Sequence, residues 1–135
     1  MALAGALSGC ARLPLGLPVD SSASNPSAQS IEVAKGEAKR VDWFYSLTTD
    51  CREQKGVSGA LIAPPRHGTV TFQHGNEYPT FAADNPHSVC NDKLSPVWFV
   101  VYKPKGDFTG DDSFTYDKHY ADIAPDRITV DVVVR

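Results

Sequence analysis

Apolar and polar residues alternate with a period of two at the start of the region that we expect to fold. The first such positions are Ile31 and Val33 and, after a turn at Gly36, Val41, Trp43 and Tyr45. Alternation of this kind sends successive side chains to opposite faces of an extended strand. The pattern therefore predicts two short strands.

The middle of the chain combines strand-forming runs with strand breakers. Residues 60–63 and 68–72 are suited to strands, and Pro64 and Pro65 between them cannot donate to a sheet ladder. The segment 73–94, "QHGNEYPTFAADNPHSVCNDKL", is rich in Asn, Asp, Pro and Gly and has no clean period. It predicts a long loop, the kind of segment that often carries function.

The last third of the chain contains three further strand patterns. Residues 97–102 form an almost continuous apolar run that is typical of a central strand, and "DSFTYDKHY" and "DRITVDVVVR" follow it. Ile128, Val130, Val132 and Val134 share one face of the last segment. Because no stretch has a sustained helical period, we expect an all-β antiparallel sandwich of about seven strands.

Residues 1–30 differ in composition from the rest of the chain. Leu7, Ser8, Gly9 and Cys10 have the small-residue pattern of a bacterial lipobox, in which the cysteine is acylated, and residues 19–30 contain five serines. We interpret 1–30 as a leader or lipoprotein signal with a flexible tether, and 31–135 as the folded domain. The alternative is a disordered leader whose thiol has no role.

The overall composition limits the classes of partner. The chain has 41% hydrophobic and 21% charged residues and a formal net charge of −3. This balance lacks the basic excess of nucleic-acid-binding proteins, so no nucleic acid is expected. No apolar run approaches the roughly 20 residues of a membrane-spanning helix. Membrane attachment would therefore come through the lipid anchor alone.

Two cysteines remain once Cys10 is assigned to a lipid. Cys51 and Cys90 then form a pair, and paired cysteines persist in oxidising compartments. We predict a disulfide between them and an exported protein of the bacterial periplasm or outer membrane. Two buried free thiols are the alternative.

Three segments together resemble a known class of module. "PPRHGTVTF", "VVYKPKGDFTGDDSFTY" and "ITVDVVV" are similar to the bacterial immunoglobulin-like and cadherin-like domains of envelope and surface proteins. The most specific part is a Y-x-P-x-x-x-F-x-G-x-D-x-F-x-Y corner. Its positions are Tyr102, Pro104, Phe108, Gly110, Asp112, Phe114 and Tyr116. The resemblance implies an all-β, immunoglobulin-like antiparallel sandwich of about seven strands and a place in the cell envelope.

The acidic corner "GDFTGDDSFTY" has two interpretations. In the structural one, Phe108 and Tyr116 point into the sandwich, Gly110 supplies an unusual backbone shape and Asp112 accepts backbone amides to close the turn. In the other, Asp107, Asp111 and Asp112 begin a calcium site, which requires about 6 to 8 oxygen ligands. The spacing matches no EF-hand loop, so the structural interpretation is favoured.

Histidines and nucleophiles give little sign of catalysis. His67, His74, His87 and His119 lie at none of the separations typical of zinc motifs, and we expect them to be exposed and unliganded. No serine lies in a G-x-S-x-G motif. We therefore expect no enzyme activity and no cofactor. A metal-dependent hydrolase that uses the histidines is a distant alternative.

The functional hypothesis is a non-catalytic, monomeric structural or binding module of the cell envelope. Its partner would be another envelope or surface protein. Tyr78 and Phe81 in the predicted loop are the candidate contacts, since aromatic side chains contribute much of the energy of interfaces; the alternative is that they anchor the loop to the sandwich. A small inhibitor or accessory subunit that engages a protein through the 73–94 loop is the second hypothesis.

Overall fold

The computed structural model describes residues 27–135, so the predicted lipidation site Cys10 lies outside the described range. Within that range the elements are β1 (Ser27–Val33), β2 (Lys39–Phe44), β3 (Ser58–Ala63), β4 (Gly68–Glu77), the 3₁₀ helix Pro86–Asp92, β5 (Ser95–Pro104), β6 (Gly110–His119) and β7 (Asp126–Val134). No helical segment among these residues has the length and hydropathy that crossing a membrane would require.

The strands form two sheets, which confirms the predicted all-β sandwich. One sheet has the order β1-β7-β6-β3 and the other β2-β5-β4. Lettered A to G in chain order, the strands group as CFG against BED, which is the immunoglobulin-like arrangement, and strand A lies on the CFG side. The β1–β7 pair is parallel and the other pairs are antiparallel.

The core lies between the two sheets and is made of alternate residues of their strands. Its buried members are Val33, Phe44, Val57, Val100, Tyr102, Phe114, Tyr116, Ile128, Val130, Val132 and Val134. The four alternating residues of β7 all point inward, as their period of two predicts. Burying branched and aromatic side chains of this size stabilises a fold by about 1.5 to 3 kcal/mol each.

Two tyrosines bridge the sheets in opposite directions. The Tyr102 hydroxyl on β5 donates to Oδ2 of Asp112 on β6 at 2.8 Å, and the Tyr116 hydroxyl on β6 donates to Oδ2 of Asp42 on β2. Burial, followed by the hydrogen bond to the carboxylate, raises the pKa of both phenols above the ordinary value. Both hydroxyls therefore remain protonated donors, and the bridges hold the sheets in register.

A bulge in β2 divides residues that the sequence placed on one face. Arg40 pairs with Val101 and Asp42 with Val100, so Val41 is an extra residue in the ladder. An extra residue reverses the faces of those that follow it. Val41 packs against the core, whereas Trp43 lies opposite the outward-facing Phe99. The single period of two expected for Val41, Trp43 and Tyr45 is therefore wrong.

Two element boundaries also differ from the sequence expectation. β1 begins at Ser27 rather than Ile31, because backbone pairing with β7 requires no apolar side chains there. β4 continues through Gln73 to Glu77, paired with β5 along its whole length. These added residues are mostly polar since β4 is an edge strand with a solvent-exposed side. The loop therefore spans residues 78–94.

Candidate functional site

The acidic corner is organised around Asp112, which is 8% exposed. Its carboxylate accepts the backbone N–H groups of Arg66 and His67 at 3.0 and 3.1 Å and the Tyr102 hydroxyl at 2.8 Å. Its Oδ1 also accepts the amide of Ser113 at 2.9 Å. Both carboxylate oxygens thus join the turn between β3 and β4 to the inner face of β6.

The remaining residues of the corner either complete the turn or face solvent. Phe108 packs against the core and its ring stacks on His67 with centroids 4.1 Å apart. Gly110 has φ +127°, a conformation that residues with a Cβ rarely adopt. Asp107 and Asp111 are exposed. Among residues 27–135, no group of three or more His, Cys, Asp or Glu side chains is placed to hold a metal ion.

The four histidines lie in four different settings. His67 stacks on Phe108, and His74 lies against Trp98 with Nε2 3.1 Å from Oε1 of Glu53. His87 is held by the side chain of Asn85 at the start of the 3₁₀ helix, and His119 ends β6. Only His74 is exposed; the other three are half-buried. The expectation that all four are exposed is therefore wrong, since the rings of Phe108 and Phe81 lie against His67 and His87.

The predicted disulfide is present. Cys51 and Cys90 are bonded with Sγ atoms 2.11 Å apart and Cα atoms 5.5 Å apart. Cys90 is fully buried in the 3₁₀ helix, and Cys51 lies in the turn after β2 with φ +66°. The bond therefore fastens the 78–94 loop to the segment that follows β2.

The two aromatic candidates of the loop have different surroundings. Phe81 packs edge-on against Tyr45 at 5.2 Å between centroids, and its backbone exchanges two hydrogen bonds with the Asn91 side chain. The Tyr45 hydroxyl accepts the amide of Thr80 at 3.0 Å. Tyr78, in contrast, is 51% exposed. The geometry makes Phe81 an anchor of the loop and leaves Tyr78 accessible.

The loop borders a second cluster of apolar residues, on the face of sheet β2-β5-β4 that points away from the core; we call it the outer face. Val97 and Phe99 of β5 are buried, yet they are not part of the core cluster between the sheets. Phe99 lies opposite Trp43 on β2, and its ring lies over Gly75 of β4, where an added Cβ would be 2.5 Å from ring atom Cε2.

A cavity on this face is lined by residues from three separate segments. We call Arg40, Trp43, Glu77, Tyr78 and Phe99 the aromatic groove. The Arg40 guanidinium carbon lies 3.9 Å from the centroid of the Phe99 ring, a cation–π contact. None of the ion pairs among residues 27–135 includes Arg40. The Arg40 guanidinium thus lies over the Phe99 ring in a groove that Trp43 and Tyr78 also line.

Sequence reasoning selected Tyr78 from this groove and missed its other members. Taken one at a time, the other members are ordinary strand residues: Arg40, Trp43 and Phe99. The bulge at Val41 turns Arg40 and Trp43 to the same face, and no local sequence pattern predicts that bulge. Predicting the groove from the sequence would have required recognising that "KRVDWF" and "WFVVYK" are neighbouring strands.

Two of the three comparisons with known proteins found no match. No protein-family model matches the chain, and no curated protein matches it. A solved structure described as the solution structure of amebosin is similar over 82% of this chain and 100% of its own, with 12% sequence identity and a TM-score of 0.43.

Proposed function

We propose that this protein is a non-catalytic binding module of the bacterial cell envelope, exported and anchored by a lipid on Cys10. The observation that carries the proposal is the disulfide-fastened 78–94 loop, which lies beside an accessible aromatic groove. Disulfides of this kind are typical of oxidising compartments such as the periplasm. The partner is another envelope or surface protein.

The mechanism is presentation of a rigid surface. The lipid would hold the chain at the membrane, and the residues before β1 would set its distance from the bilayer. The sandwich would then display the outer face, whose shape is fixed by the disulfide and by the Phe81 and Tyr45 contacts. A preformed surface loses little conformational entropy on binding, which favours affinity.

The corner motif supports assignment to the immunoglobulin-like and cadherin-like envelope modules. Asp112 and Tyr102 are both motif positions, and their hydrogen bond joins the two sheets. A motif whose members contact one another across the core is better support for kinship than the same letters in separate loops. The role of such a fold must still come from its surface.

A second candidate is an inhibitor or accessory subunit that engages its partner through the loop itself. Val89 and Leu94 favour it, since these apolar side chains of the 78–94 loop are 58% and 61% exposed. Exposed apolar side chains grouped in one segment are typical of interaction sites. In this version the loop, rather than the sheet beside it, would make the main contact.

Affinity capture from the envelope fraction tests both versions. The immobilised chain is compared with Tyr78→Ser and with the double variant Val89→Ser, Leu94→Ser. Ile123→Ser is the matched control, because Ile123 is 64% exposed in the turn between β6 and β7. We expect one envelope protein to be retained by the unmodified chain and by the control and reduced with Tyr78→Ser. Reduction with the double variant alone would favour the loop version.

Two results would contradict the proposal. One is enrichment of no envelope protein over an unrelated sandwich domain. The other is equal capture by every variant, which would separate the partner from this surface. The anchor is tested independently by the mass of the mature protein from the envelope, where an unmodified Cys10 thiol would disprove lipidation.

A further inference from the structure

We infer that the aromatic groove binds an acidic peptide segment of the partner, with a carboxylate on Arg40 and an adjoining apolar side chain between Trp43 and Tyr78. This inference rests on the proposed function, because it specifies the chemistry of the partner. It keeps the main contact on the sheet, as in the first version of that function, and not on the loop itself.

Arg40 offers the groove a group that suits a carboxylate. A guanidinium offers several N–H donors in one plane and binds carboxylates in a bidentate manner. The guanidinium carbon lies 3.9 Å from the centroid of the Phe99 ring, and this contact uses none of the N–H donors in a hydrogen bond to an oxygen. Because no ion pair among the described residues uses Arg40, its donors are available to a ligand. A preoriented arginine of this kind is complementary to an Asp or Glu side chain.

The walls of the groove are aromatic and accessible. Trp43 is half-buried and Tyr78 is 51% exposed, so both keep accessible aromatic surface. Trp, Tyr and Arg are the residues most enriched among the energetically dominant contacts of protein interfaces. Their presence in one cavity fits a protein segment with an apolar side chain.

The groove carries opposite charges at its two ends. Arg40 pairs with Val101 near one end of β5, and Glu77 pairs with Ser95 at the other end. Oε1 of Glu77 accepts the Tyr78 amide at 3.3 Å, which holds the carboxylate at the Tyr78 side of the groove. A peptide supplies both complements, a side-chain carboxylate for Arg40 and backbone N–H groups for Glu77. The opposite charges would also fix the direction in which the segment lies.

The two tryptophans of the chain allow a direct test by NMR. Trp43 lines the groove, whereas the Trp98 indole N–H donates to the carbonyl of Val57 at 3.2 Å behind the same sheet. The ¹⁵N-labelled full chain is titrated with acetyl-Asp-Phe-amide at millimolar concentrations. We expect the Trp43 indole signal and the Arg40 side-chain signal to shift and saturate, while the Trp98 indole signal stays in place.

Matched probes and variants identify the chemistry. Acetyl-Asn-Phe-amide should bind about fivefold to tenfold more weakly, since it lacks the charge that strengthens a hydrogen bond to arginine. Arg40→Gln should weaken binding of the Asp peptide about tenfold. Lys103→Gln removes the same charge from an exposed position of β5 outside the groove and should leave binding within about twofold.

Three results of the binding measurements would overturn the inference. The first is a Trp43 indole signal that stays in place with both peptides. The second is equal binding of the Asp and Asn peptides. The third is tighter binding of glucuronate than of the Asp peptide, which would indicate an acidic saccharide instead. Capture of an envelope partner that survives Arg40→Gln would also overturn it and leave the proposed function standing. Failure of the unmodified chain to capture any partner would contradict the proposed function, whatever the peptides do.

Discussion

The acidic corner and the aromatic groove both place charged side chains against aromatic rings, but they use the charge differently. In the corner, Asp112 accepts four hydrogen bonds from the protein itself. In the groove, Arg40 lies on Phe99 and takes part in none of the described ion pairs. A charge satisfied by hydrogen bonds serves the fold, whereas a charge outside any ion pair is available for binding.

The largest effect is expected from removing the disulfide that fastens the loop beside the groove. Replacing Cys51 and Cys90 together by serine should lower the free energy of unfolding by about 4 kcal/mol, because the unfolded chain loses a covalent loop closure. Urea unfolding of the variant and of the unmodified chain measures the difference. A loss below about 1 kcal/mol would show that the loop is held by its other contacts alone.

An intermediate effect is expected from a change that disturbs only the floor of the groove. Gly75→Ala would bring a Cβ within 2.5 Å of the Phe99 ring, so the ring must move, and Arg40 with it. We expect a cost of about 1 to 3 kcal/mol, typical of overpacking. Gly106→Ala is the control, since an added Cβ there meets nothing within 4 Å. Equal unfolding midpoints for the two variants would contradict the described packing.

The smallest effect concerns a buried carboxylate on the opposite sheet. Bidentate hydrogen bonds from Arg127, at 2.8 and 2.9 Å, hold the pKa of Asp117 below its ordinary value of 3.8. Its contribution is therefore present above the unfolded-state pKa and lost as pH falls through the lower folded-state pKa. Because Arg127 is half exposed, we expect this contribution to be about 1 kcal/mol.

Acid titration of stability measures the contribution of Asp117. The difference in unfolding free energy between the unmodified chain and Asp117→Asn should shrink between about pH 5 and about pH 2. Asp131→Asn, an exposed change on the adjacent strand, should show no such trend. A difference that grows as the pH falls would contradict the assignment.

The same contrast explains what the sequence could predict. Alternating apolar residues in β7 and the paired cysteines are local or compositional signals, and they were sufficient for the sandwich and the disulfide. The groove depends on strand register, on the one-residue bulge at Val41 and on the end of β4 at Glu77. These features arise from pairing between distant segments, and no local pattern marks them.

The central claim is that the corner serves the fold and the groove serves binding, and the equilibrium unfolding of Asp112→Ala beside Arg40→Gln tests it most directly. Asp112→Ala leaves the fully buried Tyr102 hydroxyl and two backbone amides without their acceptor, and it should lose about 3 kcal/mol. Arg40→Gln should lose less than about 1 kcal/mol, the size of an exposed cation–π contact. Equal losses, or a larger loss for Arg40→Gln, would contradict the claim.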